Sequence, residues 1–260
     1  MKETIVIKIG GSTFGSGDTT LEDIITLQKK GSLLVVIHGG GNTVTEWLKK
    51  LNINTQFVRG ERITDLPSLD VAAAVLAGLV NKELTSAINT RGGKAVGISG
   101  VDGLLIESKI KDKDMGYVGA VEKVNPAVLE TLLNAGFVPI VSPISLHSID
   151  RKSGAPALLN VNGDPIAGEI AVALKAKRLI YLTDVDGIKN NSGQVISNIT
   201  KAEAESMVYS GVISGGMIPK INACLRALST DTNCRIINGR KPHALLGELT
   251  GGQGGTSICK

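Results

Sequence analysis

A chain of 260 residues with 42% hydrophobic and 20% charged residues has an ordinary globular composition, which excludes disorder and a collagen-like fibre. The net charge is only +4, its basic residues are scattered, and 3% aromatic content leaves little to stack on bases, so no nucleic-acid partner is expected. Cys224, Cys234 and Cys259 form no C-x-x-C pair and the histidines add no zinc signature, so reduced thiols and no protein-held metal are expected.

The chain opens MKETIVIKIGG, which reads as a strand rather than a leader. No run approaches ~18 consecutive apolar residues, so a cytoplasmic protein with no membrane partner is expected. Residues 4–9 form an apolar, β-branched strand stopped by Gly10-Gly11, and 19–30 have helical apolar spacing up to Gly31. A buried strand at 33–37 leads into a helix at 42–50 with Asn42 as its cap, then a hairpin or flap at 55–65. An alanine-rich helix at 69–90 precedes a strand at 95–98, and 104–110 with 117–123 alternate as antiparallel strands. A helix at 125–134, a strand at 138–141, a strand at 156–161 and a helix at 164–174 follow. The rest reads as strand 178–183, helices 200–209 and 217–230, strand 235–237, a short helix 242–247 and strand 256–259. Continuous hydrophobic strands separated by helices predict an α/β fold, its mainly parallel sheet covered on both faces.

In such sheets ligands sit beyond the carboxyl ends of the strands. Three glycine-rich turns are read there: Gly10-Gly11-Ser12, Gly39-Gly40-Gly41-Asn42, and Gly215-Gly216 before the helix of Lys220. Glycine lets backbone N–H groups approach an anion, and a helix N-terminus adds its positive dipole end. Any single loop could be a tight corner; two consecutive strands ending this way, with Lys8 in the first, favour phosphate binding. There is no P-loop, no G-x-G-x-x-G opening a helix, and no G-x-S-x-G elbow to make His38-Gly39-Gly40-Gly41 a lipase oxyanion loop. Lys8 is either an edge lysine or a functional charge; Asp164, after Asn160-Val161-Asn162-Gly163, is a helix cap, a catalytic group, or both. Lys220 opposes a helix dipole and so needs an anionic partner. The acidic turn Thr183-Asp184-Val185-Asp186-Gly187 is a plain β-turn or a nucleotide loop.

In order, IVIKIGGS (5–12), VVIHGGGN (35–42), RGERITD (59–65), GYVGAVEKVNP (116–126), LNVNGDPIAGEIAVAL (159–174), LIYLTDVDGI (179–188), VISGGMIPKI (212–221) and GGTSI (254–258) resemble the amino-acid kinase family over almost the whole chain. More narrowly they resemble the members that phosphorylate the side-chain carboxylate of N-acetyl-L-glutamate in arginine biosynthesis. The resemblance implies a three-layer αβα sandwich with a mainly parallel open sheet. It also implies one domain, 1–260, whose N-terminal lobe (about 1–174) binds the amino acid and whose C-terminal lobe (about 175–260) binds ATP. Lys8 and Lys220 would flank the transferring phosphoryl group, Asp164 would hold both ammonium groups, and Gly11 and Gly40 would offer backbone N–H groups. Gly40, Gly41, Arg62, Asn160 and Asn162 would bind the amino acid, with Arg62 on its α-carboxylate. ATP would meet Lys8, Gly10, Gly11, Thr183, Asp184, Val185, Asp186, Gly187, Ile188, Lys189, Val212, Ile213, Ser214 and Lys220, with Mg2+ carried on its phosphates.

The sequence departs from the family pattern at Glu61, where an apolar residue is usual, at Gly163, usually alanine, and at Pro219 beside Lys220. Because the first strand begins near residue 4, the long N-terminal helix of arginine-inhibited members has no place, and a homodimer without that feedback is expected. Two other readings stay open. One is a sister kinase whose substrate is carried on a small acidic protein, for which Lys109, Lys111 and Lys113 would supply a basic patch. The other is a catalytically silent sensor that binds ATP or an amino acid.

Overall fold

Alternation within the first strand divides the molecule into layers. In β1 (Thr4–Ile9), Ile5, Ile7 and Ile9 enter one hydrophobic core and Val6 enters another, because successive side chains point to opposite faces. The computed structural model describes residues 3–10, 19–58, 60–190, 192–252 and 254–260. Its central sheet has the spatial order β12 (Asn198–Thr200), β14 (Thr256–Cys259), β13 (Asn233–Asn238), β11 (Arg178–Thr183), β1, β2 (Leu33–His38), β8 (Val138–Ser142) and β5 (Ala95–Ser99). The six strands from β13 to β5 run parallel, and β14 with β12 runs the other way.

One face carries α1 (Thr20–Lys29), α2 (Gly41–Lys50), α3 (Leu66–Thr90) and α8 (Ala244–Leu249). The other carries α4 (Ala127–Asn134), α5 (Gly163–Ala173), α6 (Lys201–Tyr209) and α7 (Met217–Ala227). This is the expected αβα sandwich. Helix α3 is long and apolar enough to cross a bilayer, but Leu69, Ala72, Val75, Leu76, Leu84 and Ile88 bury one side of it in the core. Asn81 pins it further: its Nδ2 donates to the carbonyl of Ile140 in β8 at 2.8 Å and shares its other hydrogen between Ile98 O in β5 and His38 Nε2, each at 3.2 Å.

Several local expectations need correction. Helix α2 is capped by Gly40 rather than Asn42, because the chain turns there at φ 147°, which a side chain rarely adopts. A Cβ at Gly40 would also meet Leu76 Cδ2 at 2.7 Å. The helix expected near 200–209 is present as α6, but the short strand β12 ahead of it was not expected; its Thr200 caps α6 with a reciprocal Glu203 bond. Gly215-Gly216 follow α6 and not a strand.

The sequence reading also missed a second sheet. β6 (Ile106–Ile110), β7 (Val118–Val124), β10 (Leu158–Val161) and β9 (Ile144–His147) close into a four-stranded ring. Beside it lies a two-stranded hairpin of β3 (Phe57–Val58) and β4 (Glu61–Arg62). The antiparallel pairing of β6 with β7 is as expected.

Helices α5 and α7 approach most closely at Gly168, where an added Cβ would lie 2.8 Å from Ala223 Cβ and 3.0 Å from its carbonyl oxygen. Gly168→Val is therefore expected to cost about 1–3 kcal/mol through overpacking. Urea denaturation should show a lower midpoint at unchanged slope. An unmoved midpoint would mean that the two helices part freely.

Candidate active site

Residues Val6 and Lys8 share the β1 face that looks toward α5. The lysine stem passes Gly163, whose added Cβ would lie 3.1 Å from Lys8 Cε. At the start of α5, Asn162 accepts the Asp164 N–H at 2.9 Å as a helix cap, which sets the aspartate in the first turn. The Asp164 carboxylate is buried and doubly paired: Oδ1 lies 2.7 Å from Lys8 Nζ and Oδ2 lies 2.8 Å from Lys220 Nζ. Burial pushes its carboxyl up, but the two ammonium groups outweigh that and hold it below the usual carboxylate value.

Lys220 is the fourth residue of α7 and also donates to Gly216 O at 3.1 Å, so the predicted anionic partner exists and is Asp164. Pro219 sits in the first turn of that helix, where its missing N–H costs nothing. Tyr181 was not foreseen. It is fully buried in β11 opposite Lys8, and its hydroxyl donates to the Asp164 carbonyl at 2.9 Å. A tyrosine inside an otherwise aliphatic buried strand was the available signal.

A cavity of about 390 Å3 opens beside Lys8 and is walled by Gly40, Gly41, Arg62, Asn160 and Asn162 among others. The structure thus gathers the whole expected amino-acid set, drawn from the ends of β1, β2 and β10, the hairpin and the start of α2. Arg62 is buried, stacks over Phe57 with its guanidinium carbon 4.7 Å from the ring centroid, and donates from Nη2 to Gly41 O at 3.0 Å and Thr45 Oγ1 at 2.7 Å. Its buried Nη1 has no hydrogen-bond partner among the described residues, and burial lowers the guanidinium pKa. A buried charged donor left unsatisfied in a cavity wall is suited to an anion.

Asn160 donates to Thr64 Oγ1 at 3.2 Å, and the backbone of Thr64 is tied to Met115 and Tyr117. The charge of Glu61 is met by Lys111 Nζ at 2.5 Å.

The expected nucleotide residues lie at the ends of β11 and before α7. Thr183 Oγ1 is 3.0 Å from Val185 O and 3.2 Å from Ile237 O, which fixes the turn. Asp184 faces Arg240 at 3.6 Å; Asp186 faces Lys241 at 2.6 Å, whose contact keeps the Asp186 carboxyl below its ordinary value. Ile188 N–H donates to Thr256 Oγ1, while Gly187 turns at φ 148°. Lys189 bridges to Val195; Ile213 N–H donates to Met207 O and Ser214 O accepts from Met217. Val212 is partly exposed beside them. These segments do not wall the 390 Å3 cavity, which ends at Lys8. The Gly10 N–H donates to Leu182 O at 3.1 Å, and Gly11 lies outside the described residues.

His38 is fully buried, with Nδ1 2.7 Å from Gly39 O and Nε2 3.2 Å from Asn81 Nδ2, so the ring is neutral with its proton on Nδ1. Burial, helped by Lys8 and Lys82 against the Gly39 carbonyl, pushes its pKa from 6.5 down to about 4. Between those values the unfolded chain takes up a proton that the folded chain refuses, so stability is full above 6.5 and falls as pH drops toward 4. Wild type should lose about 2–3 kcal/mol from this group between pH 7 and pH 4.5. Urea unfolding of His38→Gln at the same two pH values should show a correspondingly smaller loss. Equal losses in both proteins would remove His38 as the cause.

The Amino acid kinase family model matches residues 3–238. An acetylglutamate kinase of Dehalococcoides mccartyi is 50% identical over 254 residues, covering 98% of this chain and 93% of its own. One of Cereibacter sphaeroides is 44% identical over 260 residues, covering 98% and 87%. Among solved structures, smu.665 from Streptococcus mutans matches with a TM-score of 0.83 at 30% identity, over 100% of this chain and 99% of that one. Carbamate kinase from Giardia lamblia shares the fold at 17% identity and a TM-score of 0.72, over 100% and 99% of the two chains. With its fold, its motifs and a family match from residue 3 to 238, the chain belongs to the amino acid kinase family.

Proposed function

We propose that the chain transfers the γ-phosphoryl group of ATP to the side-chain carboxylate of N-acetyl-L-glutamate, giving an acyl phosphate for arginine biosynthesis. The observation that carries this reading is the arrangement of one cavity that has the buried Arg62, whose Nη1 has no partner among the described residues, in its wall and ends at Lys8 of the Lys8–Asp164–Lys220 cluster. A dicarboxylate can place its α-carboxylate on Arg62 and its distal carboxylate near the lysines. The relatives' shared name, acetylglutamate kinase, points the same way.

The acceptor carboxylate is ionised at neutral pH, so the transfer needs no general base. That suits a site whose histidine, His38, has both ring nitrogens engaged. A carboxylate oxygen attacks γ-phosphorus in line while the bond to the β-γ bridging oxygen breaks. Lys8 and Lys220 stabilise the negative charge that shifts between these oxygens, and Asp164 keeps the two ammonium groups apart and aimed. Gly40, and Gly11 on the family pattern, would add backbone N–H groups.

In this reading the N-terminal lobe holds the amino acid, since every residue lining the cavity falls between Lys8 and Gly163. ATP would lie toward the C-terminal lobe, along 183–189 and 212–214. Asp164, Asp184 and Asp186 are all paired with cationic side chains, so Mg2+ fits best on the nucleotide phosphates, where it would neutralise their oxygens. A cytoplasmic homodimer is part of the same proposal. The place of β5 as the last strand of the sheet and the exposed flank of α3 at Ala74, Gly78 and Lys82 support the second subunit.

The carrier-protein reading draws less support, because Lys109 is paired with Glu122 at 2.8 Å and Lys111 with Glu61. A silent sensor would not need the complete Lys8–Asp164–Lys220 cluster.

Acyl phosphate trapped with hydroxylamine should form with MgATP and N-acetyl-L-glutamate, and far less with glutamate or N-acetylaspartate. Lys8→Ala should lower kcat by about 100-fold or more, with far-UV circular dichroism unchanged. Arg62→Ala should instead act mainly on the KM of the amino acid. Turnover unaffected by Lys8→Ala would overturn the mechanism.

A further inference from the structure

The hairpin β3–β4 has two residues in each strand, far too few to hold a shape of its own; the Thr64 backbone anchors its base, and side-chain tethers set the position of the rest. Strand alternation sends its two critical side chains opposite ways. Arg62 turns to α2. Glu61 turns to the ring and to α5: its Oε2 meets Lys111 Nζ at 2.5 Å and its Oε1 accepts from Asn162 Nδ2 at 3.4 Å.

Lys111 directly follows β6, and Asn162 is the cap that fixes Asp164. One carboxylate therefore ties together the hairpin, the β6–β7 turn and the start of α5. It also stands between two spaces. Glu61 walls the active-site cavity on one side, and on the other a second cavity of about 680 Å3 lined by Lys111, Pro165, Glu169, Pro219 and Arg226. The apolar residue expected at this position from the family pattern could make neither contact.

We propose that Glu61 and Lys111 form a latch that holds the hairpin closed over the amino-acid substrate, and this rests on the functional reading above. Glu61 is a positioning residue in this scheme: it acts through the placement of Arg62 and Asn162 and touches no reacting atom. The Glu61 side chain is 18% exposed and that of Lys111 is 45% exposed, so solvent screens the pair and its effect is a shift in the open–closed balance rather than an all-or-none lock.

Glu61→Gln and Lys111→Met should each raise the KM for N-acetyl-L-glutamate about three- to fivefold. The KM for ATP, and kcat at saturating amino acid, should stay within about twofold of wild type. Glu61→Lys should be worse, and Glu61→Lys combined with Lys111→Glu should restore most of the affinity. The wild-type KM should rise more steeply with salt than that of Lys111→Met, which keeps only the salt dependence of the anionic substrate itself. Unchanged KM in both single variants, or no recovery in the charge swap, would overturn the latch. So would a lower melting temperature with unaltered kinetic constants, since that marks a merely structural contact.

A second readout is independent of substrate. Hydrogen exchange at the Ile63 and Thr64 amides, which donate to Gln56 O and Met115 O, should quicken in both single variants of the ligand-free protein. No quickening would sink the latch. A wild-type protein that fails to phosphorylate N-acetyl-L-glutamate, yet shows faster exchange in the variants, would overturn the substrate assignment and leave the hairpin tether standing.

Discussion

Two ammonium groups converge on one buried carboxylate, and most of the chain's organisation follows from making that possible. A lone buried Asp164 would be untenable, and either lysine without it would leave a charge facing apolar strands. With two positive charges against one negative, the cluster is short of one anion, and in the proposed function a transferring phosphoryl group supplies it. Each member comes from a different structural layer or segment: Lys8 from the sheet, Asp164 from the first turn of α5, Lys220 from the first turn of α7. Close packing at Gly168 against Ala223 keeps those two helix starts at one separation, and Tyr181 braces the aspartate backbone from below. The geometry of the cluster is thus an outcome of helix packing.

The sandwich was legible because its strands are uninterrupted aliphatic runs and its helices have clear apolar spacing. Lys8 was legible for the opposite reason: a charge in such a run requires explanation. The four-stranded ring was harder to see. Strand β9, which follows β8 after a single proline, has no place in the sequence reading, and nothing local shows that it joins the strands read at 104–110, 117–123 and 156–161 in a sheet of their own. The cap of α2 was assigned by residue preference, which favours asparagine; the backbone needed a positive φ and tolerated no Cβ near Leu76, and glycine alone meets both demands. Most of the candidate site was read from motif order. The bonds that hold it, from Thr45 to Arg62 and from Tyr181 to Asp164, are tertiary and leave no local trace.

Glu61 shows how a departure from a family pattern can be absorbed. Beside Arg62 an extra negative charge should weaken a carboxylate site, but the strand sends it to the other face, where Lys111 neutralises it. The same pairing lessens the positive character of the 109–113 segment, which bears on the choice between a free and a carrier-borne substrate. One contact therefore touches both substrate questions that the sequence left open.

The join between the lobes has its own consequence. β1 and β11 are hydrogen-bonded in register from Ile5↔Arg178 to Ile9↔Leu182, directly between the residues proposed for the two substrates. No linker separates them, so the lobes have no hinge in the usual sense. Any change in their relative orientation must be taken up as twist along a continuous sheet, a stiff deformation spread over many residues. In the proposed function, donor and acceptor would then meet at a separation set largely in advance by the strand register. Adaptation to substrates of different length is then left to the loops and the hairpin, which makes this fold a calliper with a fixed gap and adjustable tips.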